Sequence, residues 1–131
     1  ISEVTQKLKE IQQSVIAARA AGVMPLGLMG TVADYQDAAE VRLAAETAER
    51  FGMEGATCIH PSVVPVLNKA FSPSEAEVSA ARRMVEAYDE AAATGRGSIE
   101  VDGRMVDIPV IERAQRLLAR AALIAEHEAR G

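Results

Sequence analysis

The sequence has 131 residues, 49% of them hydrophobic, which is enough for about one packed domain. Fourteen Lys and Arg against 19 Asp and Glu give a formal net charge of −5, and the basic residues are scattered singly or in pairs, so no nucleic-acid footprint is present. Cys58 has no partner for an intramolecular disulfide, no apolar run approaches the roughly 20 residues of a membrane span, and the composition fits a reducing, cytoplasmic compartment with no membrane partner.

The chain opens on Ile1 rather than Met and carries neither the apolar core nor the cleavage site of a signal peptide, so it reads as an internal start. Val4, Leu8, Ile11, Val15 and Ala18 recur at steps of three and four. That spacing predicts an amphipathic helix stopped by Gly22. Val23 to Met29 reads as a short buried parallel strand, weakened by Pro25 and Gly27, and Thr31 to Asp37 as a loop. Asp37 starts a second helix, with Glu40 three residues on as a capping-box-like pair and Val41, Ala44, Ala48 and Phe51 on one face.

Gly55 to Pro61 reads as a second strand, ended by a proline that cannot continue a ladder. Strand, helix, strand is a right-handed βαβ unit. Two parallel strands alone do not make a stable sheet, so the unit asks for further strands upstream of this sequence. Ser62 to Phe71 then reads as a short helix, and Ser72-Pro73-Ser74-Glu75 as a capping box with proline at the first helical position. Val78, Ala81, Val85, Tyr88 and Ala92 mark a long helix closed by Gly95.

Ser98 to Gly103 reads as a short hairpin, in which Asp102-Gly103 supplies the positive φ angles of a type I′ turn. Pro109 suits the first position of a last helix, along which Val110, Ala114, Leu117, Ala121 and Ile124 share a face and whose end through Arg130 and Gly131 is expected to fray. Asp107 thus sits between a tight turn and a new helix, which is both the place of a helix cap and a place where a reacting group is held with little entropy left to lose.

His60 ends a strand, where α/β folds place ligands, and reads either as a structural hydrogen-bonding histidine or as a substrate contact. The other histidine, His127, lies in the tail, so no imidazole pair forms a metal site. Cys58 shares the face of His60 and reads as packing. Asp34 and Asp37 are loop carboxylates of the kind that can hold a cation, although Asp37 is already spent as a cap. Gly22, Gly27 and Gly30 lack the spacing of a dinucleotide fingerprint. Ser62, Ser72 and Ser74 stand at helix starts, where capping is their ordinary role.

Taken together, Ile59-His60-Pro61-Ser62, Ala70-Phe71-Ser72-Pro73-Ser74, Ala81-Arg82-Arg83, the Gly97 hairpin with Asp102-Gly103, and Met105-Val106-Asp107-Ile108-Pro109 form an ordered set. From about Val15 to Ala121 the chain resembles the carboxy-terminal half of the citrate lyase β-subunit-like enzymes, which include the malyl-CoA and citramalyl-CoA lyases of the HpcH/HpaI aldolase superfamily. The resemblance implies an α/β fold: residues 1–71 as the last helices and the seventh and eighth strands of a TIM (β/α)8 barrel, and residues 72–131 as a helical lid with a small hairpin. It implies a Mg²⁺-dependent lyase that breaks or forms the carbon–carbon bond between the acetyl group of an acyl-CoA and a 2-keto acid. A thioesterase, a synthase or a non-catalytic assembly module are the alternatives.

By that resemblance Ile59 and His60 border the CoA or substrate pocket, and Asp107 is a general base delivered in trans within a homotrimer or a hexamer of trimers. The Glu and Asp that hold Mg²⁺ in such enzymes are expected upstream of this sequence, so the chain alone is expected to be inactive. Met29 stands where many relatives carry an aspartate.

Overall fold

A computed structural model describes residues 2–30, 33, 35–96 and 99–131. The chain divides into two compact units, Ile1–Phe71 and Ser72–Gly131.

The first unit begins with α1, Glu3–Ala21, capped by the Ser2 hydroxyl, which accepts from the Thr5 N–H, and ended by Gly22 at φ 69°. The expected stripe is realised in part: Leu8, Ile11, Val15 and Ala18 are half-buried, while Val4 stays exposed. α2, Ala38–Arg50, starts at Asp37, whose Oδ1 accepts from the N–H groups of Ala39 and Glu40. Its buried face is Val41, Ala45 and Ala48; Ala45 takes the place expected for Ala44. A single 3-10 turn at Pro61–Val63 leads into α3, Val64–Phe71. Met53, Val63, Leu67 and Phe71 join the three α2 residues in one core, with Ile11, Val15, Leu28 and Tyr35 packed at its edge. Removing a side chain of this set, such as that of Leu67, costs about 2–5 kcal/mol by transfer and cavity together.

The two expected strands are not strands. Among the described residues the segments meet at one parallel bridge, Leu26 to Gly55, where the Gly27 N–H donates to the Gly55 carbonyl and the Glu54 N–H to the Pro25 carbonyl, both at 2.9 Å. Pro25 has no N–H to extend the ladder. The glycines instead permit close approach: a β-carbon on Gly27 would stand 3.2 Å from Met53 Cε, and one on Gly55 would stand 3.2 Å from Leu26 Cδ2. Val23, Met24 and Leu26, expected to be buried, are exposed in this chain. Arg19 ties the end of α1 to this region through Glu54 at 2.6 Å.

The second unit holds α4, Glu75–Ala93, the hairpin strands β1, Ile99–Val101, and β2, Arg104–Val106, and α5, Ile108–Arg130. The capping box of α4 lies two residues later than the sequence pattern suggested. Both Ser72/Glu75 and Ser74/Glu77 satisfy the spacing, but the bonds form at Ser74, whose hydroxyl accepts from the Glu77 N–H while Glu77 Oε2 accepts from the Ser74 N–H at 2.8 Å. Pro73 therefore precedes the cap instead of opening the helix. β1 and β2 are antiparallel, with Ile99 opposite Val106 and Val101 opposite Arg104. Asp102 at φ 51° and Gly103 at φ 75° make the expected turn. Val106, 1% exposed, is buried with Ala81, Ile111 and Ala114. α5 is helical through Arg130, where fraying was expected; an ion pair from Arg130 to Glu126 holds its last turn. Gly97, Ser98, Thr31, Val32 and Asp34 lie outside the described residues, so the start of the hairpin, part of the loop and the Asp34 cation reading lie there too.

Candidate functional site

His60 is exposed at the end of the extended segment and is the N-cap of the 3-10 turn. Its Nδ1 accepts from the Ser62 N–H at 3.2 Å and lies 2.7 Å from the Ser62 hydroxyl oxygen. The expected direction of capping is reversed here, since the histidine caps and the serine supplies the donors. The ring is stacked on Tyr35, with centroids 4.7 Å apart and planes within 9°. Tyr35 is half-buried against the core, so the stack joins an exposed ring to a fixed one.

Tyr35 was not singled out by sequence reasoning, which placed it only within a loop. No local pattern marks it, because the stack joins residues 25 positions apart. Ile59, beside His60, is 64% exposed. Cys58 is exposed as well, against the expectation that it packs.

In the second unit Asp107 follows β2 and caps α5, with Oδ1 accepting from the Val110 N–H at 3.3 Å. Ile108 takes the first helical position and Pro109 the second, one place later than expected. The buried Val106 fixes the backbone immediately before the carboxylate, and the Asp102 carboxylate at the hairpin turn lies 3.7 Å from the Arg83 guanidinium on α4. Both sides of Asp107 are thus anchored while the residue itself is exposed. Apart from the cap, no described residue engages its carboxylate.

The described residues contain no group of three or more His, Cys, Asp or Glu able to hold a metal ion. Asp37, considered for a cation, is occupied by the cap of α2. No described helix is long and apolar enough to cross a membrane.

No family model matches the chain. It is 36% identical over 114 residues to an L-malyl-CoA/β-methylmalyl-CoA lyase of Cereibacter sphaeroides, a match covering 86% of this chain and 35% of that protein. It is likewise 36% identical over 107 residues to the citrate lyase subunit β of Escherichia coli K12, covering 82% of this chain and 35% of the relative. Over these residues the chain belongs to the citrate lyase β-subunit-like family. A third family member, a (3S)-malyl-CoA thioesterase of Cereibacter sphaeroides, is 36% identical over 115 residues, which cover 88% of this chain and 40% of the relative. Among solved structures, the CitE protein of Mycobacterium tuberculosis in complex with magnesium, acetoacetate and coenzyme A matches with a TM-score of 0.66 and 31% identity, over 87% of this chain and 41% of that one. The chain therefore spans between about a third and two fifths of the length of the citrate lyase β-like proteins it matches.

Proposed function

We propose that this chain serves a carbon–carbon lyase that cleaves or forms the bond between the acetyl group of an acyl-CoA and a 2-keto acid, as with malyl-CoA, citramalyl-CoA or citryl-CoA. The 36% identity to a malyl-CoA lyase across 86% of the chain supports this reading most directly. Residues 1–71 are read as the end of a TIM barrel, with Val23 to Met29 and Ala56 to His60 at the places of its last two strands, and residues 72–131 as a helical lid carrying the hairpin. The cytoplasm is the compartment that the lone cysteine suggests.

Asp107 is the base in this reading. In the condensing direction its carboxylate takes a proton from the acetyl methyl carbon, and in cleavage it returns that proton to the same carbon. Ile59 and His60 border the CoA thioester. The lid of one subunit closes over the barrel of its neighbour in a homotrimer or a hexamer of trimers, so Asp107 acts in trans. Magnesium is the metal of the matched CitE complex, but the described residues of this chain offer no ligand group for it. Its carboxylate ligands belong to residues outside this sequence.

Thioester hydrolysis is the second reading, favoured by the equal identity to a malyl-CoA thioesterase. There Asp107 would remove a proton from water instead of from carbon. The test is an assay of the full-length protein with malyl-CoA, citramalyl-CoA and citryl-CoA plus Mg²⁺, scored for both 2-keto acid and free thiol. A 2-keto acid product supports the lyase, thiol alone supports the thioesterase, and neither product from any of the three rejects both.

A further inference from the structure

We infer that Tyr35 and Ser62 position His60 as a fixed Nε2–H donor toward an anionic oxygen of the ligand, an inference that rests on the reading of His60 as a ligand contact. The Ser62 backbone N–H points its hydrogen at Nδ1, so that nitrogen presents a lone pair and carries no proton. The hydroxyl 2.7 Å away can then only donate to it. A neutral imidazole with an unprotonated Nδ1 holds its single proton on Nε2.

The stack on Tyr35 completes the restraint. A half-turn of the ring about Cβ–Cγ keeps the stacking but replaces Nδ1 with a carbon and forfeits both Ser62 contacts, so the two residues together fix which edge carries the donor. That edge has no hydrogen-bond partner among the described residues. Tyr35 and Ser62 are positioning residues in this arrangement, and His60 is the residue that touches the ligand. A CoA thioester offers phosphate oxygens and a 2-keto acid offers a carboxylate, and either meets a single well-aimed N–H donor.

Two measurements on the full-length protein decide the matter. Long-range ¹H–¹⁵N correlation spectra of ¹⁵N-histidine-labelled protein are expected to show neutral His60 protonated at Nε2, and a proton at Nδ1 overturns the inference. Calorimetric titration with CoA, and separately with glyoxylate in the presence of Mg²⁺, then tests the contact and identifies whether phosphate or carboxylate is the acceptor. His60→Gln carries an amide nitrogen near the Nε2 position and is expected to bind within about threefold of the unmodified protein, whereas His60→Asn reaches only the Nδ1 position and is expected to bind about tenfold more weakly. Tyr35→Ala, which removes the stacked ring, should raise KM severalfold; Tyr35→Phe, which keeps the ring, should recover most of that loss, and equal KM values for the two variants overturn the positioning role of Tyr35.

Equal binding by His60→Gln and His60→Asn overturns the donor role even with the expected spectrum. Failure of the unmodified protein to bind either ligand instead rejects the ligand-contact reading, and the donor role with it, while the spectrum still reports the tautomer.

Discussion

A helix cap and a general base need the same thing from a carboxylate, namely a fixed backbone and an oxygen left over. Asp107 has both, because Oδ1 engages the Val110 N–H while the buried Val106 holds the preceding residue. The two roles separate by substitution. Asn is as good an N-cap as Asp, whereas Ala is not. Asp107→Asn is therefore expected to change unfolding free energy by only a few tenths of a kcal/mol while lowering turnover about 10²–10⁴-fold, and Asp107→Ala to lose a further ~1 kcal/mol of stability. Denaturant unfolding beside steady-state kinetics on the three proteins checks this, and an Asn variant with full turnover leaves Asp107 as a cap alone. Sequence spacing made the junction legible because Asp-Gly and Pro109 are strong local signals. It gave no view of Tyr35, since a stack between residues 25 positions apart depends on two segments meeting and leaves no periodicity.

At the level of elements, what was legible followed from chemistry that acts within a few residues. Gly22, Asp37 and Asp102-Gly103 each do what their side chains or backbones dictate locally. The extended segments failed that test, since a ladder depends on partners remote in sequence, and among the described residues the two segments meet at one bridge. The displaced capping box shows the limit even of local signals, because two overlapping Ser-x-x-Glu pairs satisfy the same rule. The chosen pair makes a pH prediction. Glu77 is held below the usual carboxylate range by the Ser74 N–H, and next by the Ser74 hydroxyl, against a smaller upward push from burial. A carboxylate whose folded value is depressed adds stability above its unfolded value of about 4.5, and loses it as pH falls through the lower folded value. Glu77→Gln is thus expected to be less stable than the unmodified protein at pH 7, with the gap closing as pH drops below about 4.5. Ser74→Ala is expected to cost about 1 kcal/mol at pH 7. Urea melts followed by circular dichroism between pH 3 and pH 7 would show this, and a pH-independent gap for Glu77→Gln would mean that the charge on Glu77 is not what the cap uses.

For the whole molecule, the division of the chain into Ile1–Phe71 and Ser72–Gly131 separates the two proposed functional residues, with His60 in one unit and Asp107 in the other. If the lid of one subunit serves its neighbour's barrel, a site needs His60 from one protomer and Asp107 from the next. Two impaired proteins then complement each other. Full-length Asp107→Asn supplies a competent barrel with an idle lid, and full-length His60→Ala supplies the reverse. After equal mixing, subunit exchange and random assembly in a ring, each site draws its barrel and its lid independently, so about a quarter of the sites combine one competent barrel with one competent lid. At low substrate, where His60→Ala alone keeps about a tenth of the unmodified rate, turnover of the mixture is expected to rise to about that quarter. A lid acting on its own barrel gives a different result, because every site then contains one defective residue whatever the mixture. No gain above the rates of the two variants measured apart, with exchange verified by mass labelling, would place Asp107 in the same subunit as the site it serves.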